Sequence, residues 1–334
     1  MTPPAIISRP ESKAVLVGET ATFSAQATGT SPLSYQWQKK GTAILGATTS
    51  SYTTPPVTRA DNNAKSQVVV SNSLGTATSN PAALTVSASV ASVDVVTYHH
   101  DMARTGQNLH ETLLTTANVN SVTFGKLRTL PVDGKVDAQP LYLSNLKNIA
   151  GGTHNVVYLA TEHGSVYGFD ADTGTQLWKV TTLGSGEVPS DTRGCEQVVP
   201  VPEIVVTATP VIDRTAGANG VIYVVAMSKS GSNYFQRLHA LDVSNGAELF
   251  GGPKDITASF LGTGDNASNG NVIFDPAQYK DRAALLLLNG IVYIAWSSHC
   301  NIRPYTGWIM GYNQTTLAQT TVLNVVPNGS SGAI

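Results

Sequence analysis

The stretch HGSVYGFDADTGTQLWKV, His163 to Val180, decides how the chain is read. Two short alternating runs, SVYGFDA and TQLWKV, flank a turn marked by Asp170 and Gly174, and Trp178 follows at a fixed offset. Alternation of period two predicts strands. The Asp can hydrogen-bond backbone amides in the turn, and the Gly supplies positive φ. The stretch therefore reads as a β-hairpin, and it recurs. LHALDVSNGAELF (238–250) carries Asp242, Gly246 and Phe250 at matching offsets, and WIMGYNQTTLAQT (308–320) carries Asn313. In that third copy Leu317 stands at the glycine position and Thr321 at the aromatic one.

Each hairpin is preceded by two further short apolar runs. NVVYLAT (155–161), GVIYVVAM (220–227) and GIVYIAWSS (290–298) align on Tyr158, Tyr223 and Tyr293, at intervals of 65 and 70 residues. Before them lie AQPLYL (138–143), ATPVID (208–213) and ALLLLN (284–289). Each copy is thus four strands in up-and-down order. One such sheet cannot bury both faces, so the copies must stack, which predicts about three blades of a β-propeller. Gly168, Ala240 and Gly311 are expected to be small where blades approach closely. Trp178 and Phe250 are expected to be wedges between blades.

This set resembles the repeats of pyrroloquinoline-quinone-type propellers over residues 98–334, including RTGQN and the AQPLY strand. The resemblance implies the fold. It also raises, as an alternative, a calcium- and pyrroloquinoline-quinone-dependent alcohol or sugar dehydrogenase. That chemistry needs oxygen ligands for calcium and often a vicinal cysteine pair, whereas Cys195 is followed by Glu196. Glu196, Glu203, Asp265, Asn266 and Asn269 are candidate oxygens, but no spacing among them fixes a calcium cage. No cofactor is therefore expected, and the reading leans away from an enzyme. His99, His100 and Asp101 make no metal site, because neighbours on an extended chain point to opposite faces and a third ligand is missing. FDPAQYKDR (274–282) predicts a short surface helix with Asp275 as its cap, and a single helical turn is expected near Thr115 or Thr116. GTGDNASNGN (262–271) reads as a long polar loop.

Residues 1–86 show short runs broken by turn signals every 8 to 12 residues, the pattern of an antiparallel sandwich. ATFSAQATGTSPLSYQWQKKG and DNNAKSQVVVSNSLGTATS resemble strands B–C and F–G of bacterial immunoglobulin-like domains of the I-set type, with Trp37 as the core tryptophan. The bridge positions of that pattern hold Ala25 and Val68 and the tyrosine-corner position holds Ser66, so packing around Trp37 replaces a disulfide. The domain reads as a spacer in preference to an adhesive module. Residues 87–97 read as a linker and 98–334 as propeller repeats, incomplete at the C-terminus because three blades do not close a ring.

Composition narrows the function. The chain has 334 residues, 41% of them hydrophobic and only 13% charged, with a formal net charge of -2. No basic field exists to hold nucleic acid. The longest apolar run, 283–296, is broken by Asn289 and Gly290 and is shorter than the ~20 residues of a spanning helix. Placing the long connections on one end of the sheets (184–206, 228–236 and 298–307) gathers His163, Arg193, Glu196, Tyr234, His299, Arg303 and Tyr305 into a candidate binding face. Cys195 and Cys300 fall on that same face and are disulfide candidates, which fits an oxidising compartment. The chain is expected to be an all-β, extracellular, cell-surface or periplasmic binding and scaffold protein for a protein or glycan partner.

Overall fold

The computed structural model describes residues 1–16, 19–87, 94–108, 114, 119–121, 124–191, 203–299 and 301–331. Arg193, Cys195, Glu196, Cys300 and the turn expected at Thr115–Thr116 lie outside the described residues. The chain divides into two units, Met1–Ser92 and Val93–Ile334.

The first unit holds β1 (Ala5–Ser8), β2 (Lys13–Leu16), β3 (Thr22–Ser24), β4 (Gln26–Thr28), β5 (Ser34–Lys39), β6 (Thr42–Ala43), β7 (Ser51–Thr53), β8 (Ala64–Asn72), β9 (Gly75–Thr78) and β10 (Ala82–Ser87). One layer runs β2-β10-β8-β5-β6, with β9 also on β8; β1 pairs with β4 and β3 with β7. The β2–β10 pairing is parallel. Alternating residues of both layers point inward, and Phe23, Ala25, Trp37, Val68, Val70 and Leu84 build one core. Trp37 lies opposite Val68 across β5 and β8. Its indole Nε1 donates to the Thr49 carbonyl at 2.9 Å, so its one polar atom is satisfied. Ala25 and Val68 are buried where a disulfide would otherwise stand. The unit is an immunoglobulin-like sandwich held by apolar packing.

In the second unit, residues 94–97 join the fold instead of forming linker. Val95 bridges Tyr142, and Ile212 donates its N–H to the Val96 carbonyl at 2.8 Å. A first sheet follows as a meander of β11 (Leu141–Ile149), β12 (Gly152–Ala160), β13 (Ser165–Asp170) and β14 (Gln176–Thr181). The second has β15 (Val188–Pro189), β16 (Val211–Asp213), β17 (Val221–Ser230), β18 (Asn233–Asp242) and β19 (Lys254–Asp255), with β15 and β16 on successive parts of β17. A small sheet of β20 (Ser259–Leu261), β21 (Ala267–Ser268) and β22 (Asn271–Ile273) comes next. The third large sheet has β23 (Tyr279–Asp281), β24 (Leu286–Leu288), β25 (Ile291–Ser298), β26 (Trp308–Asn313) and β27 (Gln319–Asn324), with β23 and β24 sharing β25.

The three large sheets repeat in register. Tyr158 lies opposite Gly168, Tyr223 opposite Ala240 and Tyr293 opposite Gly311. The turns repeat too: the N–H groups of Gly174, Gly246 and Leu317 donate to the carbonyls of Asp170, Asp242 and Asn313 at 2.8, 2.8 and 2.9 Å. The carboxylate of Asp170 accepts from the Thr173 N–H, that of Asp242 from the Ser244 N–H, and the Asn313 amide oxygen from the Thr315 N–H. Leu317 takes φ 53 where Gly174 has 78 and Gly246 has 75, and its burial offsets that conformation. The first strands adjoin along one edge: the Gln139 N–H donates to Thr209 Oγ1 at 2.9 Å and the Leu285 N–H to the Thr209 carbonyl at 3.0 Å.

Several expectations are corrected. Gly168 is small because the Trp178 indole of its own sheet lies over it; a Cβ there would stand 2.6 Å from Trp178 Nε1. Phe250 does not end a strand: it sits in a turn at φ 56, half-buried, because the strand after Glu248 breaks before resuming as β19. Residues 274–282 form one turn capped by Asp275 and then β23, not a surface helix, since the edge of β25 captures the chain and the Gln236 amide holds the carbonyls of Pro276 and Tyr279. Residues 228–236 are the paired end of the β17–β18 hairpin, not a long connection. The polar stretch 262–271 includes β21 and the start of β22.

Candidate functional site

The β12–β13 turn, residues 161–164, projects Glu162 and His163 from the first sheet. Glu162 is tied by its backbone to two neighbours: its N–H donates to the Lys135 carbonyl at 2.9 Å, and its carbonyl accepts from the Val205 N–H at 2.9 Å. Around its carboxyl gather Lys135, Asp137 and Lys280. Lys135 Nζ lies 2.6 Å from Asp137 Oδ1 and 3.6 Å from Glu162 Oε2. Lys280 comes from β23 of the third sheet and is 4% exposed.

Electrostatics separate these groups. Burial, then the adjacent Asp137 carboxylate, pushes the Glu162 carboxyl up to about 7. Asp137 is held below its ordinary value, against burial, by hydrogen bonds with Lys135 and Glu162. Burial lowers Lys280, and the neighbouring Arg282 charge adds to that. Near neutral pH the Glu162 carboxyl therefore keeps its proton part of the time, whereas Asp137 stays ionised beside Lys135.

The polar strip continues from here. His163 Nδ1 is 2.7 Å from Glu203 Oε2. Glu203 pairs by its backbone with Asp191, whose carboxylate is bonded by Lys229 Nζ and, at 3.1 Å, by the Tyr234 hydroxyl. Below it Arg237 grips Glu187 by two bonds of 2.8 Å, and Ser228 Oγ adds a third at 2.6 Å. The predicted residues His163 and Tyr234 therefore share one strip. Arg303 is ion-paired to Asp265, which also accepts from the Tyr305 N–H at 3.2 Å, and these two residues form a separate group on the third sheet. Tyr305 is 7% exposed, so its ring belongs to the core and not to a binding face. His299 is buried and lines a small cleft of about 50 Å³ with Ala277, Gln278 and Ile302.

Sequence reasoning missed Lys135, Asp137, Glu162 and Lys280, because no motif joins residues that distant. The available signal was indirect: buried-strand neighbours such as Glu162 and Lys280 are costly in a chain with so little charge. Among the described residues no group of three His, Cys, Asp or Glu side chains could hold a metal ion. Of the oxygens considered for calcium, Glu203 is paired with His163 and Asp265 with Arg303, Asn266 and Asn269 sit at φ 66 and 50 in the small sheet's hairpin, and Glu196 lies outside the described residues. Among the described residues no helix is long and apolar enough to cross a membrane.

No protein-family model and no curated protein matches the chain. Solved structures that it resembles include immunoglobulin modules. Tandem Ig repeats of Dlar are 23% identical, covering 25% of this chain and 48% of theirs, with a TM-score of 0.24. The N-terminal Ig1-2 module of the Drosophila receptor protein tyrosine phosphatase DLAR is 27% identical, covering 27% of this chain and 52% of its own, with a TM-score of 0.24. A chimeric titin Z1Z2 is 29% identical, covering 26% of this chain and 95% of its own, with a TM-score of 0.23. The chain thus spans about half the length of the two Dlar structures.

Proposed function

We propose that the chain is a secreted or surface-exposed binding and scaffold protein. Its three large sheets are read as consecutive blades of a quinone-type propeller, and one end of those blades recognises a polar ligand on a protein or a glycan. The immunoglobulin-like unit acts as a spacer. The reading assigns binding and no catalysis.

The observation that carries it is the strip from Lys135 and Glu162 through His163 and Glu203 to Asp191 and Tyr234. Separate strands and turns bring ammonium, carboxyl, imidazole and phenol groups to one end of the sheets, and the side chains of Lys135 and His163 are 50% and 43% exposed. Such a set offers donors and acceptors to hydroxyl, amide or charged groups while a rigid sheet holds it in place. Support for the blade reading is the shared register of the three tyrosine strands and the shared turn bonding.

The test is a screen of the full chain on arrays of glycans and of peptides, repeated with Lys135→Ala and His163→Ala. A binder whose affinity falls at least about tenfold in both variants is the expected result. Equal binding by both variants to every positive spot removes the strip from the function.

A further inference from the structure

Two contacts between sheets are the same contact. The Tyr158 hydroxyl of the first sheet donates to the Val243 carbonyl at 3.1 Å, and the Tyr223 hydroxyl of the second sheet donates to the Gln314 carbonyl at 2.8 Å. Val243 follows Asp242 and Gln314 follows Asn313, so each tyrosine reaches the same position of the next sheet's turn. The flanking residues repeat as well. Val156, Tyr158 and Ala160 are 0–3% exposed against the second sheet's Ile222, Val224 and Ala226. Val221, Tyr223 and Val225 are 0–3% exposed in the core shared with Val292, Ile294 and Trp296.

The third sheet carries the corresponding triplet, Ile291, Tyr293 and Ala295, and all three are only half-buried. Leu286, opposite Tyr293, is half-buried where Leu141 and Val211 are 1% and 2% exposed, and Leu288 and Leu323 are 44% and 45% exposed. The Tyr293 hydroxyl has no hydrogen-bond partner among the described residues. An apolar face built to a pattern that is covered twice is here left open.

We infer that this face is a docking surface for a further four-stranded sheet of the same repeat, whose Asp- or Asn-led turn offers its second carbonyl to the Tyr293 hydroxyl. The proposal rests on the repeat reading above and adds the surface and its partner. A second copy of the chain is the poorer occupant, because the first sheet's matching face is already taken. There Tyr167 and Phe169 are 3% and 0% exposed, the Asp133 N–H donates to the Tyr167 hydroxyl at 3.1 Å, and Arg128 and Leu130 stand against Gly174 as Trp178 and Val180 stand against Gly246.

The test extends the full chain after Ile334 with a duplicate of its own residues 203–257, the sheet already seen to cover such a triplet. Hydrogen exchange at 291–295 and 309–313 should slow at least about tenfold relative to the unextended chain. Ile291→Glu in the extended chain should return those rates to the unextended level, and Tyr293→Phe should return them part of the way. Unchanged exchange on extension overturns the proposal, whether or not the added residues fold. A second measurement needs no extension: Ile291→Glu in the chain as it stands should leave exchange in the first two sheets unchanged, whereas Val221→Glu raises it at least about tenfold. Equal effects of the two overturn the idea that the face is open. A dimer in sedimentation that Ile291→Glu dissolves would put a second copy on this face and overturn the choice of a repeat sheet. The array screen with Lys135→Ala and His163→Ala reads the ligand strip separately, so failure there does not mimic failure here.

Discussion

The Tyr158 hydroxyl and the Val243 carbonyl join the first sheet to the second at 3.1 Å, and that carbonyl also accepts from Trp178 Nε1 at 3.0 Å. Among the described residues the Gln314 carbonyl, reached by Tyr223 at 2.8 Å, has no such second donor. Tyr158→Phe is therefore expected to cost less than Tyr223→Phe, about 0.5 against about 1.5 kcal/mol, since only the second leaves its carbonyl without a protein donor. Tyr293→Phe should cost close to nothing. Urea unfolding of the three variants side by side checks the ranking; equal losses would show that the bonds do not hold the sheets.

Gly246 sits at φ 75, and a Cβ there would meet Val180 Cγ1 at 2.7 Å and Trp178 Cε3 at 2.9 Å. Gly186 has φ 73 with nothing within 4 Å of a Cβ. Gly186→Ala should cost only the left-handed backbone, about 1 kcal/mol. Gly246→Ala adds overlap with packed side chains and should cost about 2–4 kcal/mol. Thermal or urea unfolding of both variants separates backbone strain from crowding between sheets.

Glu162 is raised to about 7 by burial and by Asp137. A carboxyl with a folded pKa above its unfolded one keeps its proton longer in the folded state, so stability is lost as pH rises from about 4.5 to about 7. Glu162→Gln, which mimics the protonated form, should match the parent near pH 5 and exceed it in stability at pH 7.5. Urea midpoints at the two pH values decide this. A variant equally less stable at both would mean that the carboxylate form is the one the cluster needs.

Glu187 behaves in the opposite sense. The Arg237 guanidinium, with Ser228 Oγ and the Gly184 N–H, holds it down to about 2. Its folded pKa lies below the unfolded one, so its contribution is present above about 4.5 and is lost as pH falls towards 2. Glu187→Gln should cost about 2–3 kcal/mol at pH 7 and shrink towards zero near pH 2. Acid titration of unfolding for parent and variant should therefore converge, and a constant offset would rule out the ion pair as the cause.

Trp37 fills the first unit's core at 0% exposure. Trp37→Ala is expected to destabilise that unit by roughly 3–5 kcal/mol. Amide exchange at 66–70, on the strand facing Trp37, reports it.

The strands and turns of this chain were legible because their causes are local. Period-two alternation places Tyr158, Tyr223 and Tyr293 on strands, and an Asp or Asn at 170, 242 and 313 makes its turn with residues two to four positions away. Trp37 was legible as a core residue for the same reason, since alternation fixes the face on which it points. Tertiary structure decided what local chemistry could not. The segment 274–282 carries a helix cap, yet the open edge of β25 takes it as a strand, because paired backbone and buried Tyr279 outweigh one capping bond. Phe250 shares its offset with Trp178 but lies in a turn, where the break after Glu248 removes the strand it would have ended. Glu162 and Lys280 are 118 residues apart and meet only because the sheets adjoin along their first strands. Likewise the equivalent apolar triplets around Tyr158, Tyr223 and Tyr293 differ in what covers them, and that burial is set by the neighbouring sheet and not by the residues themselves.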